Sequence, residues 1–267
     1  DEVYIRGLSY KAFYINPGVF KVILMDFDLF VIGGYTSPSM MMAIILLKIL
    51  KKHWVLMIDG ISPLKLGNDN ILVKLIKRFF ITGADAYFAN GLVSFRYLEN
   101  YGINPKKIFN QFLSVDIDYF MSKKGNSSKL IKEIRQKHNI STNSIVIMYA
   151  GRLVKHKGVQ DLIKAVKNCR INGYDIKILI VGEGDFKSKL IKFSEEILPD
   201  AIFTGHINPE ELYKYYYASD IFVLPTHNDP WGLVVNEAMA CGLPVIVTDA
   251  AGSSLDLIKD NGIIVQK

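Results

Sequence analysis

Cysteine is nearly absent: Cys169 and Cys241 are the only two in 267 residues. So few cysteines exclude a disulfide framework, and a reducing, cytoplasmic compartment is expected. The five histidines form no H-x-x-x-H pair and stand in no ligand spacing with either cysteine, so no metal centre is expected. Long apolar runs are missing too. The most apolar, Met40–Leu47, ends at Lys48 and falls well short of the ~20 residues that a membrane span needs. Acidic residues are in deficit, 26 against 32 Lys and Arg, for a formal net charge of +6. That excess suits an anionic partner: a sugar nucleotide, an acidic membrane surface or nucleic acid. The cations are spread along the chain with no recognition motif, which makes nucleic acid the weakest of the three and leaves it outside the expected partners.

What is present is an ordinary globular composition, half hydrophobic and 22% charged. Short β-branched runs alternate with helical patterns throughout, so the expected class is α/β with parallel sheets built from βαβ units. Strands are expected at 29–32, 54–58, 86–89 and 107–111, with helices over 39–52, 70–81 and 92–101. The polar, turn-rich stretch 121–128 is expected to be a linker, which divides the chain into domains 1–122 and 123–267. In the second half, strands are expected at 144–149, 177–181, 201–204, 221–224 and 245–247. The helix from Gly158 carries Val159, Leu162, Ile163 and Val166 on one face at helical spacing. Another runs from about Trp231 to Cys241. The first five residues resemble neither a signal peptide nor the start of a fold, and the last strand-like run, 263–265, has nothing after it. A fragment cut at both ends is the expectation.

In doubly wound sheets ligands sit beyond the carboxyl ends of the strands, at helix N-termini. Two loops there carry unusual chemistry. The first holds Arg152, Lys155 and Lys157 directly before a helix start, a set that suits a pyrophosphate or else is a solvated basic turn. The second runs from Asp229 through Gly232 to Glu237. Asp229 and Glu237 are separated by seven residues, which puts both near one side of a helix, where two carboxylates can hold hydroxyls. Asp229 is alternatively an N-cap before Pro230. An acid at Glu237 amid Val, Ala, Met and Cys needs a partner.

Several motifs follow in order: Gly151-Arg-Leu-x-x-x-Lys-Gly158, Val181-Gly-Glu-Gly184, Phe203-x-Gly205, Tyr217-Ala-Ser-Asp-Ile-Phe-Val-Leu-Pro225 and Asp229-x-Trp-Gly-x-x-x-x-Glu237-Ala-Met-Ala-x-Gly-Leu-Pro244. Together they resemble the retaining glycosyltransferase family 4. Residues 1–120 resemble the acceptor-binding half of that family more loosely. The resemblance implies a GT-B fold, two Rossmann-like doubly wound domains facing a cleft, with the N-terminal one incomplete. It implies a metal-independent transfer, without cofactor, from a nucleotide-diphosphate sugar to a glycan or lipid-linked acceptor. By position, Arg152 and Lys157 match the pair on the donor diphosphate, and Gly232, Leu233 and Val234 the helix start facing it. Glu237 matches the ribose-binding acid, and Asp229 the acid on the transferred sugar.

The chain departs from the family in two places. Asp229 stands where Glu is usual, one methylene shorter. Asp59-Gly60 follows the strand after which the family commonly carries a reaction-centre histidine; Asp59 accepts a hydrogen bond but cannot act as an imidazole. Asp59 and Asp229 are therefore the candidate catalytic residues. Two further readings stay open, a catalytically impaired sugar-nucleotide-binding protein and a sugar-nucleotide epimerase or hydrolase of the same fold. Two D-x-D triplets, Asp26–Asp28 and Asp116–Asp118, match a metal–diphosphate signature of a different transferase fold. The basic, aromatic stretch 74–80 is either a solvated helix face or a contact with an anionic membrane.

Overall fold

The computed structural model describes residues 8–10, 13–67 and 69–267. The first five residues, read above as no proper start, lie outside the described residues. Contacts divide the chain into two compact units, Asp1–Phe112 and Leu113–Lys267.

The first unit opens with an antiparallel hairpin, β1 (Leu8–Tyr10) and β2 (Phe13–Ile15). Helix α1 (Gly18–Leu24) follows. The strands β3 (Phe30–Gly33), β4 (Trp54–Ile58), β5 (Ala86–Ala89) and β6 (Ile108–Asn110) then form a parallel sheet in sequence order. The crossovers are α2 (Pro38–Ile49), α3 (Ile71–Ile81) and α4 (Gly91–Asn100). Strand β4 is apolar at consecutive positions, with Trp54, Val55, Leu56 and Ile58 all buried, the pattern of a parallel strand covered on both faces. Helix α2 starts where Ser37 accepts from the Met40 amide with Pro38 in the first turn. Helix α3 starts where Asn70 Oδ1 accepts from the Val73 amide at 2.9 Å.

The second unit contains α5 (Ile117–Ser122) and α6 (Ser127–Lys137), then five βα repeats and a last strand. These are β7 (Ile145–Ala150), α7 (Val159–Ile171), β8 (Ile176–Val181), α8 (Lys187–Ile197), β9 (Ile202–Gly205), α9 (Pro209–Tyr217), β10 (Ile221–Leu224), α10 (Leu233–Ala240), β11 (Val245–Thr248), α11 (Ser254–Leu257) and β12 (Gly262–Val265). All six strands are parallel, in the spatial order β12-β11-β10-β7-β8-β9. Strand order therefore reverses between β7 and β10, and the loops after those two strands flank the resulting crevice. Residues Val146–Ala150 of β7 are buried at the centre of the sheet. Val159, Leu162, Ile163 and Val166 of α7 are buried against the same core, as the helical spacing predicted.

The division after Phe112 lies upstream of the boundary expected at 122. The stretch 121–128 is not an open linker either; it holds the end of α5, a 3-10 turn at Lys124–Asn126 and the start of α6. The cause is Phe120. Its ring packs 6.2 Å from that of Tyr216, and Tyr217 Oη donates to its carbonyl at 2.9 Å. Tyr119 Oη donates to the Glu210 carbonyl at 2.8 Å. These contacts fasten α5 to α9, so it belongs to the second unit. Asp116, half of a D-x-D triplet, is the N-cap of α5 and accepts from the Tyr119 amide at 2.8 Å.

Candidate functional site

The loop after β7 is folded tightly over its neighbour. The Gly151 amide donates to the Val181 carbonyl at 3.0 Å and the Leu153 amide to that of Glu183 at 2.8 Å. The chain then makes one 3-10 turn, Lys155–Lys157, and reverses at Gly158 into α7. Gly158 has φ +68°, and a Cβ there would lie 1.9 Å from the Pro225 carbonyl oxygen. Only glycine lets the two crevice loops approach this closely. The loops are also tied directly, His227 N–H donating to the His156 carbonyl at 2.8 Å.

This approach brings Lys157 to Asp229. The Lys157 ammonium donates to the Asp229 carboxylate, and the two side chains are only 13% and 10% exposed. The other carboxylate oxygen of Asp229 accepts from the Trp231 amide at 3.2 Å. The Asp229 backbone is fixed in turn by the loop after β11: its N–H donates to Ala250 at 3.1 Å and its carbonyl accepts from Gly252 at 2.9 Å. Asp229 is thus an ion-paired acid as well as a turn residue. The N-cap alternative fails in its simple form, because the cap of α10 is Gly232.

Gly232 has φ +90°, and a Cβ on it would lie 2.7 Å from the Leu224 side chain and 3.6 Å from Asp229 Oδ2. The helix consequently starts at Leu233, two residues after the Trp231 expected from the sequence. No side chain caps this start, so the first N–H groups of α10, those of Leu233 and Val234 among them, point toward the crevice end with the positive end of the helix dipole. Leu233 is exposed and Val234 half-buried.

Arg152 is exposed, and its carbonyl accepts from Tyr149 Oη at 2.9 Å. The Tyr149 phenol holds its proton far above the usual range, mainly through burial. The negative charge of Asp229 adds to this and Arg152 opposes it. One hydroxyl therefore senses both a site acid and a site cation.

Glu237, one side of α10 further along, accepts at Oε2 from Tyr216 Oη at 2.7 Å. Tyr216 is fully buried. Burial pushes the Glu237 carboxyl above the usual carboxylate range, with the Tyr216 hydrogen bond opposing it. The nearby Cys241 thiol is pushed up to about 12 by burial and then by the Glu237 charge, which leaves it unreactive. Trp231 Nε1 donates to Asn236 at 3.0 Å, and Asn236 reaches the Leu113 carbonyl at 3.4 Å.

The structure thus brings Lys157, Asp229 and the start of α10 after Gly232 together, with Arg152 on the loop that carries Lys157 and Glu237 on the following helix. Asp59 belongs to the first unit. It is exposed after β4, and Asn90 Nδ2 donates to its Oδ1 at 3.1 Å. Sequence reasoning passed over Tyr216. The run Tyr213–Tyr217 reads as packing, and Tyr216 does pack, but its hydroxyl also holds a site carboxylate. Two buried hydroxyls, those of Ser253 and Ser254 at the start of α11, were also missed; among the described residues neither has a protein partner.

Among the described residues no helix is long and apolar enough to cross a membrane. Residues 131–267 match the family described as glycosyl transferases group 1. A GDP-mannose-dependent alpha-mannosyltransferase of Corynebacterium glutamicum is 33% identical over 171 residues, 63% of this chain and 37% of that protein. The capsular polysaccharide biosynthesis glycosyltransferase CapM of Staphylococcus aureus is 31% identical over 134 residues, 49% of this chain and 35% of CapM. The match therefore spans little more than a third of these relatives' length. Among solved structures, Anabaena HepE in complex with UDP superposes with a TM-score of 0.76 at 21% identity, over 94% of this chain and 68% of HepE. A glycosyltransferase from Rickettsia africae superposes with a TM-score of 0.73 at 17% identity, over 97% of this chain and 69% of that one. The fold class is GT-B, as the resemblance implied.

Proposed function

Because the chain belongs to the glycosyl transferases group 1 family, we propose that its second unit binds a nucleotide-diphosphate sugar and that the protein transfers the sugar to a glycan or lipid-linked acceptor. The observation that carries this reading is the Lys157–Asp229 pair beside the Gly232 helix start, at the reversal point of the sheet. Arg152, Lys157 and the Leu233 and Val234 amides take the diphosphate. Glu237 takes the ribose hydroxyls through the carboxylate oxygen that Tyr216 leaves available. Asp229 orients the transferred sugar from its place against Lys157.

The chemistry follows from these placements. The bond from the anomeric carbon to the phosphate oxygen breaks while the acceptor hydroxyl oxygen forms a bond to the same carbon. Negative charge grows on the departing diphosphate, where two cations and fixed N–H dipoles are already aimed; this preorganised field is the usual largest catalytic term. The acceptor proton passes to the leaving phosphate, so neither a protein nucleophile nor a metal ion is required, and the anomeric configuration is retained. Relatives whose names specify GDP-mannose, and a solved neighbour holding UDP, support a nucleotide donor without choosing its base. Asp59 lines the acceptor side, in the first unit.

Helix α3 presents a surface fitted to an anionic membrane. Ile71, Leu72, Leu75, Ile76 and Phe79 are exposed on it beside the exposed cations Lys74 and Arg78, and it carries no acid. Such contact would hold the enzyme at a lipid-linked acceptor.

Calorimetric titration with UDP, GDP and ADP, on the chain and on Arg152→Ala and Glu237→Ala, tests the donor site. Saturable binding of one nucleotide, weakened at least tenfold in both variants, is expected. Equal affinity in all three proteins would remove these residues from the site. A protein that binds nucleotide without turnover is the reading that Asp59, in place of a histidine, favours; product formation from the matching donor sugar rejects it.

A further inference from the structure

Residues 151–153, between β7 and the 3-10 turn at Lys155–Lys157, are held almost entirely through their backbone. The Gly151 and Leu153 amides are tied to the Val181 and Glu183 carbonyls, and the Leu153 carbonyl accepts from the Phe186 amide at 2.9 Å. The loop after β8 lies very close: a Cβ on Gly182 would sit 1.9 Å from the Gly151 carbonyl oxygen. The Leu153 side chain is fully buried. Arg152 stands between these two anchored residues with its side chain exposed. Its carbonyl accepts from two donors, the Val154 amide at 3.1 Å and Tyr149 Oη at 2.9 Å.

Among the described residues, the bond from Tyr149 is the only side-chain hydrogen bond on residues 151–153. The Tyr149 ring is wholly buried at the centre of the sheet, and its hydroxyl meets the turn from beneath. A Cβ on Gly151 would lie 3.0 Å from that hydroxyl, so glycine gives it room. Burial, and then the charge of Asp229, keep the phenol protonated far above the usual range. Tyr149 therefore has a proton to donate at every ordinary pH, and the Arg152 carbonyl receives it. The carbonyl and the side chain of Arg152 leave adjoining backbone atoms, so holding the one fixes the direction in which the other sets out.

We infer that Tyr149 is a positioning residue for the donor diphosphate: its hydroxyl holds the Arg152 carbonyl and so fixes the point from which the Arg152 guanidinium reaches the phosphates. The inference rests on the donor-site reading and deepens it. Tyr149 is fully buried and touches no ligand itself; it acts through Arg152. Lys157 is placed separately by its ion pair with Asp229, and Glu237 by Tyr216. Tyr149 should accordingly govern one grip on the donor and leave the other two intact. Preorganising a flexible cation in this way favours binding, because less freedom is lost when the ligand arrives.

Tyr149→Phe keeps the ring in the core, and the Arg152 carbonyl keeps the Val154 amide, so the fold should survive. UDP, GDP and ADP, and their nucleosides, are titrated by ligand-observed NMR into the wild-type chain, Tyr149→Phe, Arg152→Ala and the double variant. Tyr149→Phe is expected to weaken the bound diphosphate about three- to tenfold, the range of a single hydrogen bond, and to leave the nucleoside unchanged. In the double variant the diphosphate affinity should equal that of Arg152→Ala, since no guanidinium remains to be placed. A general loosening of the fold would weaken nucleoside and diphosphate alike, and would persist without Arg152. An unchanged diphosphate affinity in Tyr149→Phe, a proportional loss for the nucleoside, or additive losses in the double variant would each overturn the inference. The donor reading survives those three outcomes as long as Arg152→Ala itself weakens the diphosphate. A wild type that binds no nucleotide, or Arg152→Ala with wild-type affinity, overturns the donor reading and this inference with it.

Discussion

Lys157 and Asp229, 72 residues apart in the chain, form a largely buried ion pair between the loops after β7 and β10. Both were expected to hold donor groups, and each holds the other. On the function proposed above, a donor would enter an existing ion pair: its diphosphate would take Lys157 and free Asp229 for the sugar hydroxyls.

Removing one partner should therefore harm more than removing both. Lys157→Met leaves a carboxylate buried without compensation and should cost about 3 kcal/mol. The double variant Lys157→Met/Asp229→Asn should recover at least half of that in urea unfolding, while remaining unable to bind nucleotide. A double variant as unstable as the sum of the two singles would mean that the pair is not coupled.

Glu237 makes opposite demands on stability and binding. Its folded carboxyl is raised above the usual value by burial, so it favours the fold at low pH and that stability is lost as pH rises through the raised value. Glu237→Gln should thus stabilise the protein at neutral pH, with no gain below about pH 4, the range of a free carboxyl. Nucleotide affinity should run the other way, falling as pH drops and the carboxylate is protonated. Measured in parallel, melting temperature and affinity should move in opposite directions in this variant.

Tyr216→Phe deletes the donor that holds Glu237 Oε2 while leaving the ring against Phe120 and Phe222. Nucleotide affinity should fall about tenfold, the scale of one hydrogen bond to a charged group. Glu237→Gln/Tyr216→Phe should lose little beyond Glu237→Gln alone; full additivity would place Tyr216 outside the ribose site.

The two loops should tolerate no side chain at Gly158. Gly158→Ala drives a Cβ into the Pro225 carbonyl and should cost more than ~3 kcal/mol, combining clash with strain at positive φ. Gly173 has φ +90° but open space around it, so Gly173→Ala should cost only ~1 kcal/mol. Equal destabilisation of the two would show that the close approach of the loops is not needed.

Asp200 supplies a control far from the site. Arg170, and then Lys177, pull its carboxyl down to about 2. Its stabilisation is present above the unfolded value near 3.8 and is lost as pH falls toward 2. Asp200→Asn should cost about 1 kcal/mol at neutral pH, discounted for its partial exposure, and leave nucleotide affinity unchanged.

Much of the architecture was legible because it is periodic. The strands Trp54–Ile58, Ala86–Ala89 and Ile221–Leu224 were read to the residue, since an uninterrupted apolar run bounded by turns has few other meanings in an α/β chain. The helix face of α7 was equally plain. Arg135 was invisible: it looks like one more cation on a polar helix, yet it is buried and donates to Asp220 at 2.9 Å. The boundary near residue 122 was misplaced for a related reason, because one anchoring phenylalanine does not alter the polar composition around it.

By itself the sequence determined the strands, the crevice loops and which side chains carry charge there, since local propensity and motif order act within a few residues. Only the tertiary structure decided that Lys157 faces Asp229, that Tyr216 holds Glu237, and that Arg135 reaches Asp220. Each of these joins residues far apart in the chain, and whether a buried polar group is satisfied depends on what the fold places opposite it.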